Sequence, residues 1–287
     1  MSDSKSMQAV VFHGPRNISL QERPIPKIQN EADIIVKVDV TALCGSELHV
    51  YRGHQASQTG FIMGHEFAGT VVEAGSEVET FRVGDKVVVP FTVSCGNCFY
   101  CRNGGSARCP ECLLFGTAFL DGGQAEYVRV PLADTTAIVA PATIADEALV
   151  LMADIFPTGY YAVKSGMEML TGMAVRDSTI VVVGSGPVGL CAIVAAANLR
   201  PQRLLAIDSV KDRLGRAEKL GAKPLNLLDG MANLQAQVEA VTEGRGADLV
   251  IEAVGLSPAL RTAFEIVRPF GVISSIGVHS QDLSHCY

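Results

Sequence analysis

The sequence contains no stretch of about eighteen strongly apolar, uncharged residues, so it offers no candidate membrane span. Its opening residues, MSDSKSMQAVVFHG, lack the apolar run and small-residue cleavage site of a secretory signal, which points to a cytoplasmic setting. Positive charge is scarce. Lys and Arg number 23 against 30 Asp and Glu, a formal net charge of -7. That balance argues against nucleic acid or an anionic membrane as partner. Internal repeats and low-complexity tracts are absent as well. What remains is a chain of 287 residues, 48 % hydrophobic and 18 % charged, which is a globular composition with room for two domains.

Four of the eight cysteines crowd into one short stretch, CGNCFYCRNGGSARC. Cys95, Cys98, Cys101 and Cys109 follow the spacing C-x2-C-x2-C-x7-C, with glycine and small polar residues between them. Such a loop has little apolar surface to bury, so something other than a core must order it. Thiols stay reduced in a cytosolic setting, and clustered cysteines there bind metal rather than pair as disulfides. Tetrahedral zinc with four thiolates fits the spacing. Cys112 lies three residues beyond Cys109 and leaves the register open by one ligand. Cys191 reads as a core residue of an apolar helix, and Cys286, next to the terminus, carries no signal.

The two halves have different rhythms, and the boundary falls near residue 150. Residues 1–150 hold β-branched runs broken by glycine and proline, such as ADIIVKVDVTAL and GDKVVVP, which read as short strands of an antiparallel, barrel-like domain. Residues 151–287 alternate buried strands (STIVVVGSG, QRLLAIDS, ADLVIEAVG, GVISSIG) with helical segments. Strand alternating with helix predicts an α/β domain with a parallel sheet and helices on both faces. Between the halves, IADEALVLMADIFPTGYYAVKSG reads as a helix interrupted at Pro157.

The stretch IVVVGSGPVGL sets Gly184, Gly186 and Gly189 as G-x-G-x-x-G between an apolar strand and an apolar helix. This is the context that the dinucleotide fingerprint requires. The first glycine allows the tight turn, the second lets a pyrophosphate approach the backbone, and the third permits close helix–strand packing. Pro187 and Val188 open the helix whose N-terminus would receive the phosphates. Asp208 follows nineteen residues after Gly189, where a carboxylate binds the ribose hydroxyls and repels a 2'-phosphate. Ser209 supplies no positive charge, and no neighbouring base is expected to accept a phosphate, so NAD is favoured over NADP. Arg213 either lies along the adenosine ribose or is a solvated helix charge. A second concentration of ligand chemistry lies in CGSELH and GHEFAG, where Cys44, His65 and Glu66 offer a thiolate, an imidazole and a carboxylate.

With these motifs in place, the sequence resembles the zinc-dependent alcohol dehydrogenases of the medium-chain dehydrogenase/reductase superfamily. The matching stretches, CGSELH, GHEFAGTVVEAGSEV, GDKVVVPF, the cysteine loop, GSGPVGL and GRGADLVIEAVG, run in family order from about residue 8 to about residue 279. GSELHVYRGH and ADIFPTGYYA resemble the formaldehyde-dehydrogenase-like branch. The resemblance implies a GroES-like catalytic domain followed by a doubly wound Rossmann domain. It implies two zinc ions, one catalytic and one structural, together with NAD and a small alcohol or aldehyde substrate. Cys44 and His65 match ligands of the catalytic zinc, Glu66 matches a carboxylate that ligates it in some states, and Asp154 matches the remaining ligand. Ser46 matches a hydroxyl that relays the substrate proton, His49 the outer base of that relay, and Thr158 a residue lining the nicotinamide site. The four clustered cysteines match the structural zinc loop.

Two further expectations accompany the resemblance. A polyol or sugar dehydrogenase on the same fold stays open, because Asp154 brings a carboxylate where many alcohol dehydrogenases carry cysteine. The family continues past the fifth Rossmann strand through a sixth strand, which pairs its homo-oligomers, and a return segment, whereas here GVISSIGVHS is followed only by QDLSHCY. The expectation is therefore a truncated chain with an exposed apolar edge, low solubility, weak NAD binding and little turnover.

Overall fold

Strands in the first half mix alternating burial, as in Tyr127–Val130, with runs buried on both faces, as in residues 67–69 and 87–89. The computed structural model describes residues 6–279, and these divide into two units between Asp154 and Ile155. Cys286 and the QDLSHCY tail lie outside the described residues.

The first unit begins with an antiparallel hairpin, β1 (Ser6–Gly14) and β2 (Asn17–Pro24). Its main sheet contains β3 (Ile34–Thr41), β4 (Phe67–Ala74), β5 (Lys86–Val89), β6 (Tyr127–Val130) and β7 (Ile138–Val139) in the order β6-β3-β4-β5-β7, with every pairing antiparallel. Register shifts in β3, between Ile35 and Val36 and between Val38 and Val40, bend the strand, as bulges do. Ile34, Val36, Phe67, Val71, Val87 and Phe115 are among the side chains that fill the core under this sheet. A single longer helix, α1 (Gly45–Arg52), leaves the end of β3 and precedes β4.

The second unit contains a parallel sheet of β8 (Thr179–Val183), β9 (Arg203–Asp208), β10 (Lys223–Asn226), β11 (Ala247–Glu252) and β12 (Val267–Ser275), in the order β10-β9-β8-β11-β12. This is the doubly wound order, and its reversal falls between β8 and β11. Two-residue alternation divides the strands between two cores. Ile180, Val182 and Ile251 pack with helices α2 (Ile155–Met169) and α3 (Pro187–Leu199) on one face. Val181, Val183 and Val250 pack on the other with α5 (Met231–Val241) and α6 (Ser257–Ile266), while α4 (Lys211–Lys219) joins β9 to β10. Strands covered on both faces are buried from end to end, as β8 and β11 are, and the two charged residues of β11, Asp248 and Glu252, are buried only with hydrogen-bond partners. Among the described residues β10 and β12 are the edge strands of this sheet, and no helix is long and apolar enough to cross a membrane.

One expectation is corrected. The helix break does not fall at Pro157. Short helical turns at Asp146–Leu149 and Val150–Ala153 end at Asp154, whose backbone (φ -148°, ψ -65°) leaves the helical region, and α2 starts at Ile155. Pro157 therefore lies in the first turn, where the missing N–H has no helical partner to lose.

Candidate functional site

Three constellations gather groups able to hold a metal or a cofactor, two in the first unit and one in the second. The first is assembled from three chain segments. Cys44 is the N-cap of α1, with extended backbone (φ -81°, ψ 150°) that turns its side chain back over the helix start. His65 and Glu66 immediately precede β4, and Glu66 is anchored through its carbonyl, which accepts from Ala42 N at 3.0 Å and Thr41 Oγ1 at 2.9 Å. Asp154 enters from the break described above. Its Oδ2 lies 3.8 Å from Cys44 Sγ and 3.3 Å from His65 Nε2. Donor atoms of Cys44, His65 and Glu66 all lie within 4.8 Å of one another.

These spacings pass a test for a metal. A tetrahedral ion bound at ~2.0–2.3 Å has donor–donor edges of about 3.3–3.8 Å. The electrostatics agree. Burial works to lower the pKa of His65, yet its contacts with Asp154 and Cys44 and the charge of Glu47 carry it up to about 10. A buried pocket this rich in negative donors holds a proton on its imidazole until a cation replaces it.

Glu47 was not singled out by the sequence reading. It is buried at the third position of α1, where its Oε2 accepts from Cys44 N at 2.9 Å and its Oε1 lies 4.0 Å from His65 Nδ1. Gln124 Nε2 donates to Glu47 Oε1 at 3.2 Å. Burial, first, holds the Glu47 carboxyl above its usual range, against the pull of His65 and the backbone N–H groups of Cys44 and Gly64. A helix start followed three residues later by Glu is a capping-box spacing, so the signal was present, with Cys in the place of Ser. Ser46 and His49 occupy α1 three residues apart, a spacing that puts them on one face of the helix. Both are half-buried, and His49 Nδ1 is shielded from solvent. Thr158 lies in the first turn of α2.

The second constellation is the cysteine loop. The sulfurs of Cys95, Cys98, Cys101 and Cys109 lie within 4.8 Å of one another, and Cys112 is not among them. Backbone N–H groups point at sulfur, among them Cys101 N at Cys98 Sγ (3.4 Å) and Cys95 N at Cys109 Sγ (3.3 Å). The backbone N–H groups of Asn97 and Cys98 bring the Cys95 thiol down to about 7, while desolvation and the neighbouring thiols push Cys101 up to about 12. Without metal, Cys95 thus loses its proton more readily than Cys101. Phe99 at the tip is 74 % exposed, so the loop has no core of its own and its thiols are what a metal would tie together.

The third constellation lies at the carboxyl end of the parallel sheet. A cavity of about 450 Å³ is lined by Gly184, Gly186, Asp208, Arg213, Val254 and Thr262, among others. Gly184 adopts φ +91°, and a Cβ there would strike Val254 Cγ2 at 2.5 Å. A Cβ on Gly189 would run into the Gly184 carbonyl, whereas one on Gly186 would meet no protein atom within 4 Å. Gly186 therefore faces open space at the start of α3, whose first residues are Pro187 and Val188. That is the room a pyrophosphate needs at a helix N-terminus. Asp208 ends β9, with Oδ2 accepting from Ser185 N at 2.7 Å and Oδ1 from Val210 N at 2.8 Å. The expectation that Asp208 has no basic neighbour is corrected, because Arg213 Nη1 stands 3.7 Å from Asp208 Oδ2. One turn of α4 brings the guanidinium back over the strand end.

Residues 30–140 match the alcohol dehydrogenase GroES-like domain family and residues 187–286 the zinc-binding dehydrogenase family. The chain is 59 % identical over 274 residues to the medium chain reductase/dehydrogenase ucsI of Acremonium sp, covering 95 % of this chain and 94 % of that protein. It is 53 % identical over 283 residues to zinc-type alcohol dehydrogenase B of Aspergillus flavus, covering 99 % of this chain and 66 % of that one. Among solved structures, alcohol dehydrogenase TADH from Thermus sp. ATN1 superposes with a TM-score of 0.87 at 36 % identity, over 95 % of this chain and 78 % of that one.

Proposed function

Because the chain belongs to the zinc-dependent medium-chain dehydrogenase/reductases, a family of oxidoreductases, we propose that it transfers a hydride between a small alcohol or aldehyde and NAD in a cytoplasmic setting. The observation that carries this reading is that Asp154 Oδ2 lies 3.8 Å from Cys44 Sγ and 3.3 Å from His65 Nε2, both edge lengths of a tetrahedral metal site, with donor atoms of Cys44, His65 and Glu66 within 4.8 Å of one another. When bound, zinc would supply Lewis acidity toward the substrate oxygen and NAD would supply a hydride acceptor.

The protein's own groups do the rest. Cys44, His65 and Asp154 hold the metal, with the Glu66 carboxylate in reserve beside them. Glu47 orients the His65 imidazole from its far side, as outer carboxylates do for metal-bound histidines. Ser46 accepts the substrate hydroxyl proton and His49 hands it toward solvent. Thr158 lines the nicotinamide position. Gly184, Gly186 and Gly189, with Pro187 and Val188, cradle the pyrophosphate, while Asp208 and Arg213 face the adenosine ribose. Cys95, Cys98, Cys101 and Cys109 hold a second, structural zinc that takes no part in the chemistry. The test is a panel of primary alcohols, secondary alcohols and polyols assayed for NADH formation by zinc-replete protein. Turnover that is lost in Cys44→Ser supports the reading, and a zinc-replete protein inert to the whole panel overturns it. A second reading, a polyol dehydrogenase, draws on the carboxylate of Asp154 in the ligand set, and the polyol arm of the panel decides it.

A further inference from the structure

Glu252 is the last residue of β11 and is completely buried. A buried carboxylate is costly unless its lone pairs are met. Here the Oε1 atom accepts from Val254 N at 2.8 Å and Gly255 N at 2.7 Å. Oε2 accepts from Ser275 Oγ at 2.8 Å and lies 3.2 Å from His279 Nε2. The Glu252 carbonyl also accepts from Ile276 N at 2.9 Å and Gly277 N at 3.3 Å. One residue therefore ties the turn after β11 to the segment after β12. The sheet explains the geometry. Glu252 is in register with Val183 of β8 on one side and Ser275 of β12 on the other. The two tied segments touch backbone to backbone, since a Cβ on Gly277 would collide with Gly255 N and one on Gly255 with the Val278 carbonyl.

The trio Ser275, His279 and Glu252 is not a nucleophilic triad. Ser275 Oγ lies 3.0 Å from His279 Nε2, the same nitrogen that faces Glu252, so among the described residues no carboxylate meets Nδ1 to orient the ring as a base. Its work must be structural in kind, and its position shows what it serves. Ala253, Val254 and Leu256, in and just beyond the turn that Glu252 fixes, line the 450 Å³ cavity, and Val254 sits directly against Gly184.

We propose that Glu252 is a positioning residue for the dinucleotide: its carboxylate, with Ser275 and His279, sets the β11 turn that forms the cavity wall beside the glycine loop. This rests on the dinucleotide reading of that cavity. The fold does not need a charge here, because an apolar residue in a fully buried strand end costs less than a carboxylate. The shape of the turn does need an acceptor, because two adjacent N–H groups aimed inward require one between them.

The experiment is calorimetric titration of NAD into the zinc-replete full chain, with a melting curve for each variant. For Glu252→Ala, the dissociation constant should rise at least tenfold while cooperative melting is retained. Glu252→Gln should stay within threefold of the parent, because an amide oxygen still serves Val254 and Gly255 and its NH2 can donate to Ser275 Oγ. Should Glu252→Ala fail to melt cooperatively, Ser275→Ala carries the test, with an expected two- to fivefold rise. Unchanged NAD affinity in a folded variant, with only the melting temperature lowered, overturns the proposal. A parent chain that binds neither NAD nor NADP overturns the dinucleotide reading instead, and the proposal with it.

Discussion

His65 Nε2 stands 3.3 Å from Asp154 Oδ2, although 89 positions separate the two residues in the chain. The contact forms because the helix break at Asp154 turns a carboxylate toward the start of β4, with the thiol of Cys44 3.8 Å from the same oxygen. With the four-cysteine loop, it makes two separate ligand sets. Folded protein should therefore carry two zinc ions by elemental analysis. Cys44→Ser should lose one with little change in melting temperature. Cys98→Ser should lose the other and destabilise by roughly 3 kcal/mol or more, on the order of 10 °C, because that loop has no core to fall back on. A folded parent chain with one zinc or none would count against the assignment.

The pH dependence of the metal-free protein follows from His65. Its folded pKa, about 10, lies above the ordinary value of 6.5. The stabilisation it contributes is thus fully present below about pH 6.5 and is lost as pH rises toward 10. Melting curves of chelator-treated protein should show this loss across pH 6–10, and His65→Gln should flatten it. Zinc must displace the same proton, so calorimetry at pH 7 in buffers of different ionisation enthalpy should reveal proton release on metal binding. No release would remove the basis for this account.

Glu47 touches no proposed substrate atom, yet it should govern metal affinity. Glu47→Gln keeps an acceptor for Cys44 N but removes the charge beside His65 Nδ1. Competition with a chelator should show a 10- to 100-fold weaker catalytic zinc, the usual effect of losing an outer carboxylate, with the melting temperature nearly unchanged. Glu47→Ala should cost about 1 kcal/mol more through the lost N-terminal hydrogen bond of α1. Equal zinc affinity in parent and Glu47→Gln would limit the residue to a capping role.

Cofactor preference depends on Asp208 and Arg213 together. While the Asp208 carboxylate is present, NAD should bind at least about tenfold more tightly than NADP, a difference of roughly 1.4 kcal/mol. Asp208→Ser should narrow the gap twice over, by removing the repelling charge and by freeing the guanidinium 3.7 Å away to meet a phosphate. Adding Arg213→Ala to that variant should widen it again. Equal affinities for the two cofactors in the parent chain would refute the assignment.

Much of the molecule was legible in the sequence because its signals are local. The C-x2-C-x2-C-x7-C loop, the glycine triplet between strand and helix, and Asp208 at the next strand end all declare themselves through spacing within a few turns of chain, where covalent geometry leaves few alternatives. The alternation of β-branched runs likewise announced an antiparallel sheet followed by a parallel one. The rest was decided by tertiary structure. The break at Asp154 rather than Pro157 depends on where the chain must deliver a carboxylate, and proline in a first helical turn gives no resistance. That one turn of α4 carries the Arg213 guanidinium to within 3.7 Å of Asp208 could not be read from spacing. Glu47 became a neighbour of His65, and Glu252 a partner of Ser275 and His279, through strand register and helix placement. A pair far apart in sequence has no spacing to read, and its contact exists only after the sheets have set which strand ends lie side by side.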